Sequence, residues 1–390
     1  MSEVEALSAR AAEILDRLVS FDTTSRSSNL ELIAFAEGRL RDCGADTRRV
    51  ANADGSKANL IARIGPDLAG GVLLSGHTDV VPVDGQAWTS DPFAVARRGG
   101  RLYGRGTADM KGFLALALAA APDFAAVAQP ALPVQFAFTY DEEIGCLGAP
   151  SLIAELARTG PRPGVVIVGE PTNMEAVSGH KGIATFRVTI LGHEAHSSLT
   201  HLGVSAVMEA VPLMQSLRRL AQELESAADP ASPFTPKGAS LTIGQVRGGT
   251  AVNILARECV FLFDLRVPPG IDPRAILQPF FAQVAALDAQ LKTRSPDAGA
   301  RVEARSGTPP MAPETDGAAE RLARRLAGDN GPIRAVSYAA EAGQFQEAGF
   351  STVICGPGSI EQAHQPDEYL ELSQLERGAA FMGRLAEAMG

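Results

Sequence analysis

Four largely apolar runs of strand length constrain this chain most: Val72–Ser75, Val134–Tyr140, Val165–Val168 and Thr352–Cys355. A strand with one solvated face alternates apolar and polar residues, whereas a strand covered on both faces does not. Helical patterns separate the runs, so they predict an α/β chain with a mainly parallel sheet and helices on both faces. Three of the runs lead straight into metal-type ligands. His77 and Asp79 follow the first, Asp141, Glu142 and Glu143 the second, and Glu170 the third. The fourth precedes a loop carrying His364. In open α/β sheets, sites form in the crevice beyond the carboxyl ends of the strands.

Asp109 lies in Gly104–Gly112, a glycine-bearing loop before an apolar helix. It reads either as a helix N-cap or, beside the other ligands, as a carboxylate bridging two cations about 3.5–4 Å apart. Imidazoles and carboxylates in about equal number suit zinc, cobalt or manganese better than calcium, which prefers oxygen alone. With His77 as a ligand, a carboxylate from Asp79 on the far ring nitrogen fixes the tautomer. Adjacent residues leaving a strand point in different directions. Glu143 is therefore assigned to metal and Glu142 to the neighbouring water, as general base.

At 390 residues the chain exceeds what one core usually supports, so two domains are expected. A net charge of -10 argues against a nucleic-acid partner, which favours a basic stripe. Four well-separated cysteines form no CxxC pair and read as reduced packing residues of a cytoplasmic protein. The acidic start Met1–Ala6 lacks the basic and apolar regions of a signal peptide. The most apolar stretch, Gly112–Ala121, is too short to span a bilayer, so no membrane partner is expected.

The pattern changes after His180–Gly182. An alternating segment from Thr185 leads to a His-rich loop, a helical run from Val204 to Leu224, strands at Ser240–Val246 and Glu258–Val267, a helix over about Pro273–Leu291 and a short strand at Arg301–Arg305. Strand-helix-strand-strand-helix-strand is the split ferredoxin-like order. Residues 182–307 are thus read as an inserted α+β domain, and residues 1–181 with 308–390 as the metal-binding catalytic domain.

Six segments jointly resemble the zinc metallopeptidase family that includes glutamate carboxypeptidase and aminoacylase. They are Ser75–Asp79, Gly104–Gly112, Asp141–Gly145, Gly169–Thr172, Gly192–Ser198 and the His364 loop. The resemblance covers nearly the whole chain. It implies a zinc-peptidase-like fold, with His77 and Glu170 on one metal, Glu143 and His364 on the other, and Asp109 bridging. It also implies that the inserted domain serves as a lid and dimerisation domain, and that His196 stabilises the oxyanion in the partner subunit's site. Two divalent ions per subunit, zinc or cobalt, and a homodimer are the expectation. Gly248–Asn253, Phe263–Gly270, Ala340–Phe345 and Cys355–His364 resemble the branch acting on N2-acetyl-L-ornithine, which commonly has Thr where this chain has Ala340.

A small-molecule N-acyl amino acid offers a carboxylate that suits the planar fork of arginine, and Arg266 at a strand end is the candidate. In isolation Arg266 reads as a surface residue. Asn253 either donates to the same carboxylate or caps a turn. Glu341, beside Gly343 in a glycine-bearing loop, either pairs with a substrate ammonium or caps a helix. His193 and His201 read as surface residues. Hydrolysis of succinyl-diaminopimelate, acetylcitrulline or dipeptides remains open within the family. Two rivals lie outside it. A silent metal- or peptide-binding relative has no use for Glu142, and a nucleotide-binding protein needs a G-x-G-x-x-G turn that Gly104–Gly106 does not provide.

Overall fold

The computed structural model describes residues 2–390. In chain order the helices are α1 (Glu3–Val19), α2 (Leu30–Asp42), α3 (Gly112–Ala125), α4 (Ala149–Thr159), α5 (Ala206–Ser226), α6 (Pro273–Arg294), α7 (Ala318–Ala327), α8 (Ala342–Glu347) and α9 (Leu372–Met389). The strands of the two main sheets are β1 (Asp46–Ala51), β2 (Ala58–Ile64), β3 (Val72–His77), β4 (Val134–Thr139), β5 (Val165–Pro171), β6 (Gly182–Leu191), β7 (Ser240–Gly248), β8 (Glu258–Val267), β9 (Gly299–Thr308) and β10 (Ser351–Gly356). Two compact units emerge. The first holds the chain up to Gly179, Met311–Ala335 and Ala340–Gly390; the second holds His180–Pro310 and Val336–Ala339.

In the first unit the sheet order is β1-β2-β4-β3-β5-β10. The pairings β4/β3, β3/β5 and β5/β10 are parallel, and β1/β2 and β2/β4 are antiparallel. Strands β3, β4 and β5 are buried along their whole length, which is why β3 and β5 open on apolar runs without alternation. Leu74, Phe136, Phe138, Ile167 and Val353 face a core built with α1, α3 and α9. Helices α4 and α8 pack near the opposite face. Helix α1 starts with a capping box between Ser2 and Glu5, which satisfies two backbone donors at its N-terminus.

Two glycines let the Asp109 loop approach the sheet. A Cβ on Gly76 would lie 2.5 Å from Met110 Cε, and one on Gly169 would lie 2.0 Å from the Phe113 ring. Each glycine directly precedes a candidate ligand, His77 or Glu170. Strands without a side chain at these points allow the loop and the start of α3 to press onto the strand ends.

The second unit carries the expected βαββαβ order, with strands β7-β8-β6-β9 in one antiparallel sheet. Its own core gathers Phe186, Val188, Leu217, Phe261, Phe263, Phe280 and Val284. The boundary differs from the expected 182–307. The unit begins at His180, ends at Pro310 and takes in Val336–Ala339. Hydrogen bonds explain the addition: Lys181 N–H donates to the Val336 carbonyl at 3.3 Å, and Ser337 Oγ donates to the Thr235 carbonyl at 2.6 Å.

All four cysteines are free thiols. Among the described residues, no helix is long and apolar enough to cross a membrane.

A candidate dinuclear metal centre

Strand ends and one loop of the first unit bring five ligand-type side chains together. His77 is the last residue of β3, Glu170 lies near the end of β5, and Glu143 sits just past β4. Asp109 belongs to a π-type turn, Thr107–Lys111, that leads into α3. His364 enters from the loop after β10, with a backbone φ of 63°. Two groups form. His77, Asp109 and Glu170 make one, and Asp109, Glu143 and His364 make the other, each with ligand atoms within 4.8 Å of one another.

Asp109 belongs to both groups because its two oxygens face different ways. Oδ1 lies 3.0 Å from His77 Nε2, and Oδ2 lies 3.3 Å from His364 Nε2. Glu143 Oε2 stands 3.0 Å from the same His364 nitrogen, and Glu170 Oε1 stands 3.8 Å from His77 Nε2. Asp109 is not an N-cap by side chain, since α3 begins at Gly112 without a side-chain cap bond. Glu170 Oε1 is buried and has no hydrogen-bond partner. A buried carboxylate oxygen left unpaired is costly, and a cation at the first group would satisfy it. The residues present thus fit two transition-metal ions by donor type, burial and this orphaned atom.

Electrostatics point the same way. Burial pushes Glu142 up to about 8 and Glu143 up to about 7, with repulsion from nearby carboxylates adding to it. Burial also raises Glu170 well above the carboxylate range. For Asp109, burial acts upward, but hydrogen bonds from His364 and His77 prevail and hold it far down. Hydrogen bonds to Asp109 and Glu143 lift His364 to about 10. Raised values mean that His364 and part of the Glu143 population carry protons at pH 7. Metal needs neutral imidazole and ionised carboxylate. Zinc uptake at pH 7 should therefore release protons, and apparent affinity should fall as pH drops from about 10 through about 7. Calorimetric titration of chelator-stripped protein in buffers of different ionisation enthalpy reads the release. Uptake with no proton released at pH 7 would contradict this charge pattern.

Asp79 acts differently from expectation. His77 Nδ1 meets the Asp79 backbone carbonyl at 2.9 Å, while the Asp79 carboxylate stands 3.7 Å away. Without an ion, burial acts downward on His77, but the hydrogen bond to Asp109 and the nearby carboxylates prevail and raise it well above the imidazole range, so Nε2–H donates to Asp109. With Nδ1–H kept on the Asp79 carbonyl, Nε2 is the nitrogen that would give up its proton to a cation. The carboxylate is occupied elsewhere. It accepts Ser25 Oγ at 2.6 Å and the backbone N–H groups of Glu142 and Glu143 at 3.0 and 3.3 Å. It thus holds the turn that aims the two glutamates. Glu143 turns to His364, whereas Glu142 Oε1 accepts from Cys146 Sγ at 3.2 Å.

Glu341 is also corrected. It is 1% exposed, and its two oxygens accept Ser75 Oγ at 2.6 Å and Thr139 Oγ1 at 2.8 Å. With both oxygens engaged in the interior, it has no open face for a substrate ammonium. It occupies the N-cap position of α8 but makes no side-chain cap bond. Gly343 is buried within α8.

The remaining expected residues lie in the second unit. His196 and Asn253 are neighbours on exposed loops, joined by a Ser197 N–H to Asn253 carbonyl bond of 3.0 Å and an isolated bridge between His196 and Ile254. His196 Nδ1 pairs with Ser198 Oγ at 2.8 Å. Arg266 lies on β8 with Nε on Asp264 Oδ2 at 2.9 Å. His193 and His201 are exposed. Sequence reasoning missed Ser25 and Cys146, because a serine and a cysteine carry no pattern that announces a distant carboxylate.

The profile of peptidase family M20/M25/M40 matches residues 73–388. An acetylornithine deacetylase of Myxococcus xanthus is 34% identical over 388 residues, covering 95% of each chain. Human carnosine dipeptidase 1 superposes with a TM-score of 0.76 at 20% identity, over 98% of both chains. The YXEP protein of Bacillus subtilis, described as a dinuclear metal binding peptidase of the M20 family, superposes at a TM-score of 0.67 and 16% identity over 99% of both. The chain belongs to peptidase family M20/M25/M40.

Proposed function

We propose that this chain is a two-metal amidohydrolase that cleaves N2-acetyl-L-ornithine to L-ornithine and acetate, a step of arginine biosynthesis. The observation that carries the metal chemistry is Asp109, whose two oxygens face two separate ligand groups. The substrate reading rests on the relatives named acetylornithine deacetylase, at 34% identity for the one from Myxococcus xanthus.

His77, Asp109 and Glu170 would hold one ion, and Asp109, Glu143 and His364 the other; zinc and cobalt fit these donors. Two such ions, when bound, supply Lewis acidity to an amide carbonyl and acidify water. Glu142 takes the proton of the attacking water as its oxygen bonds to the acetyl carbon. It then passes that proton to the amine nitrogen as the C–N bond breaks, so that acetate and ornithine leave. Burial lifts this carboxyl to about 8 in the ion-free site, which suits it to hand on a proton, and two cations beside it would favour the ionised form that a base needs. Asp79 positions Glu142 through its backbone N–H. In the second unit, Arg266 and Asn253 are assigned to the substrate carboxylate and His196 to the oxyanion.

Four free thiols suit a reducing cytoplasm. A panel of N-acyl amino acids, assayed by amine release with added zinc or cobalt, tests the substrate. Acetylornithine is expected to be the best substrate. A preference for succinyl-diaminopimelate would place the enzyme with a neighbouring activity.

The assembly proposed is a homodimer through the second unit. Strand β7 is an edge strand, and α5 exposes Met208 and Val211 at 68% and 47%. An open edge beside an apolar helix face suits a second copy related by a twofold axis. His196→Ala and Glu142→Ala subunits, each inactive alone, should regain activity when mixed into heterodimers. A fully active monomer in solution would rule this out.

A further inference from the structure

The side-chain cluster that the mechanism leaves unused lies behind the Asp109 loop. Glu368 is 1% exposed, and one carboxylate gathers three backbone N–H groups: Gly106 at 3.0 Å, Ala108 at 2.9 Å and Asp109 at 3.1 Å. Arg105, equally buried, places Nη1 2.7 Å from Glu368 Oε2. Its Nη2 donates to Gln86 Oε1 at 2.5 Å, and its guanidinium lies 5.1 Å from the Trp88 ring centre. Gln86 Nε2 then donates to the His364 carbonyl at 2.9 Å. A hydrogen-bonded path thus runs from the backbone of one ligand, through Glu368, Arg105 and Gln86, to the backbone of another.

Stability alone is a poor account of this path. A buried ion pair gains little over apolar side chains of similar volume, because both charges lose water. What it does supply is direction. Three N–H groups converging on one anion fix the loop that turns Asp109 toward both metal groups. His364 has a left-handed φ of 63°, sparsely populated for a non-glycine residue, and such backbone persists only when its surroundings hold it. The Gln86 bond grips that residue's own carbonyl. A short sheet anchors the far end, pairing Tyr369 with Tyr103 next to Glu368.

We propose that Glu368, Arg105 and Gln86 are positioning residues of the metal centre, with Glu368 setting the bridging carboxylate and Gln86 setting His364. This rests on the two-metal reading above. Loss of outer partners to metal ligands typically weakens metal binding about 10–100-fold. Glu368 acts on the shared ligand, so Glu368→Gln weakens both positions. Gln86 donates directly to His364 and bears on Asp109 only at second hand, through Arg105 and Glu368, so Gln86→Leu weakens chiefly the His364 position by that factor.

The experiment is a cobalt titration of the chelator-stripped full-length protein, followed by calorimetry and the visible spectrum, with unfolding midpoints measured in parallel. Wild type is expected to take two equivalents. Gln86→Leu is expected to keep its midpoint and one site close to wild type while the second site weakens. Two wild-type affinities in Gln86→Leu would overturn the proposal, and would do so even if Glu368→Gln fails to fold with Arg105 left unpaired. Equal weakening of both sites in Gln86→Leu would overturn the division of labour. Fewer than two equivalents in wild type would instead overturn the two-metal reading itself.

Discussion

Asp109→Ala is expected to abolish turnover and to empty both metal positions together. Each oxygen of this carboxylate serves a different group, at 3.0 Å from His77 Nε2 and 3.3 Å from His364 Nε2. Without it, one side keeps His77 and Glu170 and the other keeps His364 and Glu143. Each remnant is a pair of donors, short of the three protein ligands usual for a catalytic zinc. His364→Ala should differ, because the buried group of His77, Asp109 and Glu170 stays whole. Elemental analysis after dialysis against metal-free buffer checks both variants. An Asp109→Ala protein that retained one full equivalent would show that the carboxylate does not bridge.

Glu142→Ala is expected to keep metal content and fold while turnover falls by about 10²–10⁴-fold, the usual contribution of a general acid–base group. Its carboxyl is absent from both ligand groups, so the ions should not register its loss. Its partner within the turn is the Cys146 thiol, a weak donor. Removing a carboxyl that crowds Glu143 and Asp109 also relieves repulsion. Near-wild-type turnover in this variant would transfer the role of base to another group. Glu142→Gln, which keeps the shape, should be equally slow if the proton matters.

The five ligand-type residues were legible because each sits beside a feature that burial writes locally. An apolar run without alternation signals a strand covered on both faces, and a polar residue at its end then needs a partner. The βαββαβ unit was legible from the opposite pattern, alternation in strands with one covered face between helical runs, and Glu258–Val267 matches the expected strand end to end. Edge strand β1 carries a weaker pattern, since Asp46–Ala51 is largely exposed.

The partners of Asp79, Glu341 and Glu368 were not legible. A carboxylate takes whichever donor the fold brings to it, and nothing near Glu341 in the chain names Ser75, 266 positions away. The same holds for Glu368 and the Asp109 backbone, 259 positions apart. Asp79 shows the limit at short range too, because the direction of one turn decided whether its carboxylate or its carbonyl met His77. By itself the sequence determined which strands are buried and which ligand types stand at their ends, since burial periodicity and residue chemistry are local. Only the tertiary structure decided that Asp109 faces two groups at once and that the Asp79, Glu341 and Glu368 carboxylates meet donors of the protein itself. Those outcomes depend on where distant segments arrive and which way each side chain then turns.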